Sequence, residues 1–156
     1  MRVLAIDPGY DRLGVAVLEH TTSGEALLFS SCINTDKTVP LPERLHWAGT
    51  AIEQLLQEHK PDALAIETIF FNTNQKTAIG VAQMRGICIF LAKQFGCAVY
   101  EHGPQEIKVA VTGYGKSDKR AVIDMVCRLV PNAPSKAVDD EYDAIAVGIT
   151  ALAHHR

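Results

Sequence analysis

Four acidic residues, Asp7, Glu67, Asp140 and Asp143, stand where a small α/β fold can gather them. Asp7 ends the apolar run Val3-Leu4-Ala5-Ile6 at a Pro8-Gly9 turn, and Glu67 ends a second run, Ala63-Leu64-Ala65-Ile66. Asp140 and Asp143 lie three apart at the start of the last apolar segment, a spacing that puts both on one face of a helix. A carboxylate at the margin of a buried run is costly unless something neutralises it. A hard divalent cation does this with oxygen ligands, and Mg²⁺ or Mn²⁺ suits the donor set. Plainer explanations exist for each residue: Asp-Pro-Gly is a turn sequence, and acidic side chains in a first helical turn favour the helix dipole. Asp139, just before the pair, reads as the helix N-cap.

The elements that must position these groups follow from periodicity. Strands are predicted at 2–7, 13–19 and 26–33, joined by connections short enough for antiparallel hairpins. Leu45, Ala48, Ile52, Leu55 and Leu56 recur at helical spacing and predict a helix near 43–59. A strand ending at Glu67, a polar loop, a long apolar helix over about 75–95 closed by Gly96, and a fifth strand at 97–101 come next. Helices are expected at 104–112, 118–130 and 139–153. The order β-β-β-α-β-α-β followed by helices implies an α/β fold with one mixed five-stranded sheet and helices on both faces. In such a sheet the first and fourth strands lie parallel and adjacent, about 4.8 Å apart, which brings Asp7 and Glu67 together.

At 156 residues the chain is expected to be a single domain, 1–156. With 47% hydrophobic and 21% charged residues, its composition is that of a soluble globular protein, with no apolar run long enough to cross a membrane. The first strand begins at the second residue, which leaves no room for a signal peptide and points to the cytoplasm. Cys32, Cys88, Cys97 and Cys127 form no paired motif and read as buried thiols of a reducing compartment. The six histidines form no group either, and His154-His155 reads as a frayed, solvated end. The net charge of −3 is unevenly spread: residues 1–71 carry −5, residues 72–136 carry +5 and residues 137–156 carry −3. A basic central third beside an acidic site is compatible with a polyanionic partner, although a solvated face also explains it.

Taken together, these motifs resemble the RuvC-type Holliday-junction resolvases of the RNase H-like superfamily. The resemblance runs from Ile6-Asp7-Pro8-Gly9 through Ala65-Ile66-Glu67-Thr68-Ile69-Phe70 and Gln83-Met84-Arg85-Gly86 to Asp140-Glu141-Tyr142-Asp143-Ala144-Ile145-Ala146. It implies a homodimer that binds four-way DNA junctions and makes paired, symmetric nicks with Mg²⁺, two ions per site, in recombination and repair, with a branch-migration motor complex as a candidate partner. Asp7, Glu67, Asp140 and Asp143 match the catalytic acidic positions, with Asp7 expected to bridge the two ions. Lys108 and Lys119 match basic positions that support DNA binding or catalysis. Phe70 matches the aromatic expected to contact a base at the opened crossover. Lys116 and Arg120 extend the same basic segment and would add sequence-independent phosphate contacts, unless they only solvate a helix face. The chain departs from the family pattern in its end soon after the last helix, its acidic net charge and Glu141 within the final motif, which bear on affinity more than on chemistry.

Other readings start from the same residues. A related nuclease acting on structured RNA, such as pre-ribosomal RNA, shares Asp7, Gly9, Gly14, Val15 and Ala16. Residues 4–17 also resemble the phosphate-binding hairpin of sugar kinases and Hsp70-type ATPases, which need a second lobe. A non-cleaving module that binds branched DNA is a further alternative, disfavoured because an acidic cluster gains nothing by facing phosphates. The long helix at 75–95 is apolar on more than one side, which is consistent with dimerisation through it or with burial inside one subunit.

Overall fold

The computed structural model describes residues 1–22, 24–69 and 75–155. Along the chain stand β1 (Arg2–Asp7), β2 (Arg12–Thr21), β3 (Gly24–Asn34), α1 (Leu41–His59), β4 (Ala63–Glu67) and α2 (Gln75–Gln94). β5 (Ala98–His102), α3 (Pro104–Thr112), α4 (Lys119–Leu129) and α5 (Asp139–His154) follow. The strands form one mixed sheet of order β3-β2-β1-β4-β5. β1, β2 and β3 pair antiparallel, while β1, β4 and β5 run parallel.

Side-chain alternation divides the sheet into two buried faces. Val3, Ala5, Ala16, Leu18, Ala63 and Ala65 pack with α3, α4 and α5. Leu4, Ile6, Val15, Val17, Leu64 and Ile66 pack with α1 and α2 on the opposite face. This two-sided burial is why the central strands read as unbroken apolar runs rather than as alternating ones. The parity also aims the acidic ends: Asp7 follows Val3 and Ala5, and Glu67 follows Ala63 and Ala65, so both emerge on the α5 face. Ile6 pairs with Ile66, so Asp7 and Glu67 are neighbours one step further along.

The central helix α5 is buried continuously from Ala144 to Leu152, as a helix apolar on all sides must be. Two glycines let it lie against the sheet. A Cβ on Gly148 would stand 2.4 Å from Leu18 Cδ1 and 3.2 Å from the Cβ of Ala5. A Cβ on Gly14 would stand 1.9 Å from the backbone oxygen of Asp140 and 3.2 Å from the Cβ of Asp7. Because Gly14 is also the cross-strand partner of Asp7, the missing side chain is what lets the start of α5 reach the end of β1.

Three local expectations are corrected. Asp139 is not the cap of α5 but its first residue; Val138 is the cap, and the Asp139 carboxylate turns 4.0 Å from Lys119 instead. Of the four cysteines, all free thiols, Cys88 and Cys97 are buried, Cys32 is partly exposed and Cys127 is exposed on the outer side of α4. His154 and His155 are not frayed: the His155 ring stacks on Tyr100, with centroids 3.6 Å apart, and His154 pairs with Glu106. Among the described residues no helix is long and apolar enough to cross a membrane.

Candidate active site

The acidic side chains reach the site by two routes. Asp7 and Glu67 come from adjacent parallel strand ends, and Asp140 and Asp143 from the first and second turns of α5. Burial, followed by the charges of Asp143, Glu67 and Asp140, pushes the Asp7 carboxyl up to about 8 against a partial opposing effect of Lys119. Glu67 is raised as well, by burial and then by Asp143, while Lys119, a hydrogen bond with Asp7 and the charge of Lys108 pull it down. Burial raises Asp143 despite its bond to Lys119. The four groups therefore form one electrostatic unit, in which Asp7 is the carboxyl that keeps its proton near neutral pH.

Basic residues occupy the two outer carboxylates. Arg12 pairs with Asp140, and the ammonium of Lys119 bonds Asp143. In this arrangement no three of the four carboxylates bring oxygens within 4.8 Å of one another. Lys119 is the first residue of α4, behind the Asp118 cap that accepts from the Ala121 amide at 2.8 Å. A cation at a helix N-terminus opposes the helix dipole, so its place there is set by Asp143 rather than by helix stability. Burial lowers the Lys119 ammonium, but the hydrogen bond and charge of Asp143 outweigh it and the net shift is upward.

Glu67, Asp143, Lys108 and Lys119 line one open cleft of about 240 Å³ floored by Ile107 and Val122. Of the basic segment, then, Lys108 and Lys119 face the acidic cluster, whereas Lys116 and Arg120 are exposed and outside the cleft lining. Phe70, and Phe71 beside it, lie outside the described residues. Glu141 does not join the cluster; the Ser30 hydroxyl of β3 donates to its carboxylate.

Two arginines support the site from behind, and the sequence marks only one of them, Arg85 within Gln83-Met84-Arg85-Gly86. Arg44 of α1 is buried under the turn that follows Asp7, donating to the Tyr10 carbonyl at 3.1 Å and to Thr35 Oγ1 at 2.9 Å, and pairing with Asp11. Its guanidinium carbon lies 5.1 Å from the Tyr10 ring centre. Arg85 of α2 reaches the Glu67 carbonyl at 3.4 Å and pairs with Glu101, bracing the end of β4 from the opposite face. Both act on backbone that presents a carboxylate, and neither touches the cleft.

A family model described as crossover junction endodeoxyribonuclease RuvC matches residues 3–151. The chain belongs to the RuvC family. The RuvC of Leifsonia xyli subsp. xyli is 43% identical over 152 residues, spanning 96% of this chain and 72% of that relative. The structure of Thermus thermophilus RuvC in complex with Holliday junction substrate superposes with a TM-score of 0.90 at 28% identity, covering 97% of this chain and 93% of that one. The yeast mitochondrial Holliday junction resolvase Ydc2 shares the fold, with a TM-score of 0.68 at 13% identity over 96% of this chain and 75% of that one. The expected RNase H-like architecture and the expected family are thus both present, and the RNA-nuclease and kinase-like readings lose their ground.

Proposed function

We propose that this chain resolves four-way DNA junctions by metal-dependent phosphodiester hydrolysis, with Asp7, Glu67, Asp140 and Asp143 as the metal-binding catalytic carboxylates. The observation that carries the chemistry is the Asp7 carboxyl, pushed up to about 8 by burial and three neighbouring carboxylates. Such a site repels its own full ionisation and is relieved by an oxygen-seeking cation, so the donor set fits Mg²⁺. When bound, two Mg²⁺ ions supply activation of the attacking water and neutralisation of the leaving 3′-oxygen. Asp7, central to the electrostatic unit, would be the principal ligand, with Glu67, Asp140 and Asp143 completing the donor set.

The chain's own groups have separable tasks. Asp7 would have to give up its proton to hold a cation, so metal affinity rises with pH toward 8. Lys119 and Lys108 hold the scissile strand's phosphates over the cleft, Lys119 from its place on Asp143. Lys116 and Arg120 extend the phosphate track outside the cleft, and Phe70 stacks on a base at the opened crossover. The activity in the family's name, crossover junction endodeoxyribonuclease, supports the substrate: a junction is cut in preference to linear duplex or structured RNA. Incubating the protein with labelled samples of all three in Mg²⁺ tests this, and preferential cutting of the RNA would move the assignment to an RNA nuclease.

Lys119→Ala is expected to weaken junction binding and to lower the slope of log affinity against log salt by about one, as loss of one phosphate contact does. Binding measured across a salt series checks it, and an unchanged slope would count against the contact.

The paired cuts call for two active sites. Ile79 and Phe90 of α2 are 64% and 66% exposed, large apolar side chains on a helix whose opposite side is buried against the sheet. A second copy of the chain covers this face in a homodimer with two-fold symmetry, matching the two-fold symmetry of the junction. Sedimentation at micromolar concentration is expected to give a dimer that Phe90→Glu converts to monomer; a wild-type monomer would remove this part of the account.

A further inference from the structure

Away from the carboxylate cluster, three side chains from three elements converge on a single point. His102 ends β5, Glu106 lies in the first turn of α3 and His154 in the last turn of α5. His102 Nδ1 is 3.0 Å and His154 Nδ1 is 2.9 Å from the same oxygen, Glu106 Oε1, and the three ligand atoms all lie within 4.8 Å of one another. Zn²⁺ holds nitrogen and oxygen ligands at about 2.0–2.1 Å, which in a tetrahedral site sets ligand atoms roughly 3.3 Å apart. The two separations from Glu106 Oε1 come within a few tenths of an ångström of that value.

His102 is only 2% exposed and its Nε2 is buried with no hydrogen-bond partner. Its Nδ1, aimed at Glu106, is thus the ring nitrogen that serves the cluster, from a fully buried position. Glu106 and His154, at 42% and 43% side-chain exposure, leave the group open to solvent on one side. The stacked pair of Tyr100 and His155 walls the other, with the His155 ring centre 5.8 Å from that of His102.

We propose that His102, Glu106 and His154 form a second cation site, taking a nitrogen-preferring transition ion such as Zn²⁺ rather than Mg²⁺. Two imidazoles and one carboxylate are the ligand set of that class of ion, whereas the hard Mg²⁺ takes oxygen ligands and stays with the carboxylate cluster. The ion ties the end of α5 to β5 and α3. Its neighbours are the walls of the cleft: α3 carries Lys108, α5 carries Asp143, and the His102 carbonyl accepts from the Thr68 amide, next to Glu67, at 2.9 Å. An ion there holds the cleft's supports together without touching the scissile bond.

The test reads bound metal and does not depend on cutting. The full chain, in excess Mg²⁺ to occupy the carboxylates, is titrated with Zn²⁺ by calorimetry while Tm is recorded. One equivalent of Zn²⁺ is expected to bind and to raise Tm. His154→Ala, a change at a half-exposed position, is expected to lose at least tenfold in affinity and the Tm increment with its circular dichroism unchanged. Cys127→Ser and Asp7→Asn should keep both, which separates this site from the exposed thiol and from the catalytic cluster. Zn²⁺ bound equally well by His154→Ala, lost instead in Cys127→Ser, or not bound by the wild type would overturn the proposal.

Discussion

In chelator at pH 8, Asp7→Asn protein is expected to be more stable than the wild type by on the order of a few kcal/mol, while its junction cleavage in Mg²⁺ falls at least about a thousandfold, ~4 kcal/mol of barrier. The two effects have one cause. In the folded chain the Asp7 carboxyl titrates at about 8, against an ordinary value of 3.8. Below pH 3.8 both folded and unfolded chains carry the proton and there is no penalty. Between 3.8 and about 8 the unfolded chain releases its proton and the folded chain keeps it, so stability declines as pH rises. Above that range both are ionised and the penalty is constant. Asparagine has nothing to ionise, so the gap between variant and wild type opens with rising pH and nearly closes at pH 4. Saturating Mg²⁺ reverses the order, because it stabilises only the chain that binds it well. Denaturant unfolding at pH 4 and pH 8, with chelator and with Mg²⁺, measures all of this. A wild type at least as stable as Asp7→Asn in chelator at pH 8 would contradict the electrostatic reading of the site. Active sites that hold mutually repelling charges trade stability for function in this way.

Gly14→Ala is expected to be the most damaging single methyl addition near the site. The new Cβ would lie 1.9 Å from the carbonyl oxygen and 2.7 Å from the carbonyl carbon of Asp140, and these backbone atoms cannot rotate aside. The start of α5 must retreat, carrying Asp140 and Asp143 away from Asp7. Overpacking of this kind costs roughly 1–3 kcal/mol or more of stability, and a displacement of about 1 Å among reacting groups costs on the order of a hundredfold in rate. Gly148→Ala supplies the control. Its nearest neighbour is the Leu18 side chain, which is able to shift, and it lies well along α5 from the carboxylates. Cleavage assayed well below each variant's Tm should therefore be nearly normal for Gly148→Ala and about a hundredfold reduced for Gly14→Ala. Equal activities in the two would show that the approach of α5 to β2 does not position the site.

What could be read in advance, and what could not, follows the range of the interactions. β1 and β4 announced themselves because burial on both faces makes four consecutive residues of each uniformly apolar, and their polar last residues then stood out as Asp7 and Glu67. The parallel contact between these strands followed from the element order, and α5 from its long apolar run. The strand ends extended further than expected, β2 to Thr21 and β3 from Gly24, because backbone pairing in the hairpin carries on through polar residues that show no apolar pattern. Arg44 is an arginine on an amphipathic helix whose burial depends on Thr35, Tyr10 and Asp11, all in other elements. The His102, Glu106 and His154 group joins positions up to 52 apart through the tertiary fold, so scanning for local ligand spacing passes over it. Within the basic segment, composition gave Lys108, Lys116, Lys119 and Arg120 equal standing. The family resemblance singled out Lys108 and Lys119, and the fold agrees: these two line the cleft, while Lys116 lies in the turn between α3 and α4 and Arg120 is exposed outside the lining.

The most direct measurement is cleavage of a labelled four-way DNA junction beside a matched linear duplex, in Mg²⁺ and in chelator, by wild type and Glu67→Gln, with junction binding followed in parallel. Glu67→Gln keeps the shape of the side chain and removes its charge from the cluster. Paired, symmetric nicks on the junction alone, abolished by chelator and by Glu67→Gln while binding survives, are the predicted result. Cleavage that persists in chelator, or in Glu67→Gln at the wild-type rate, would contradict a metal-dependent centre built on these four carboxylates.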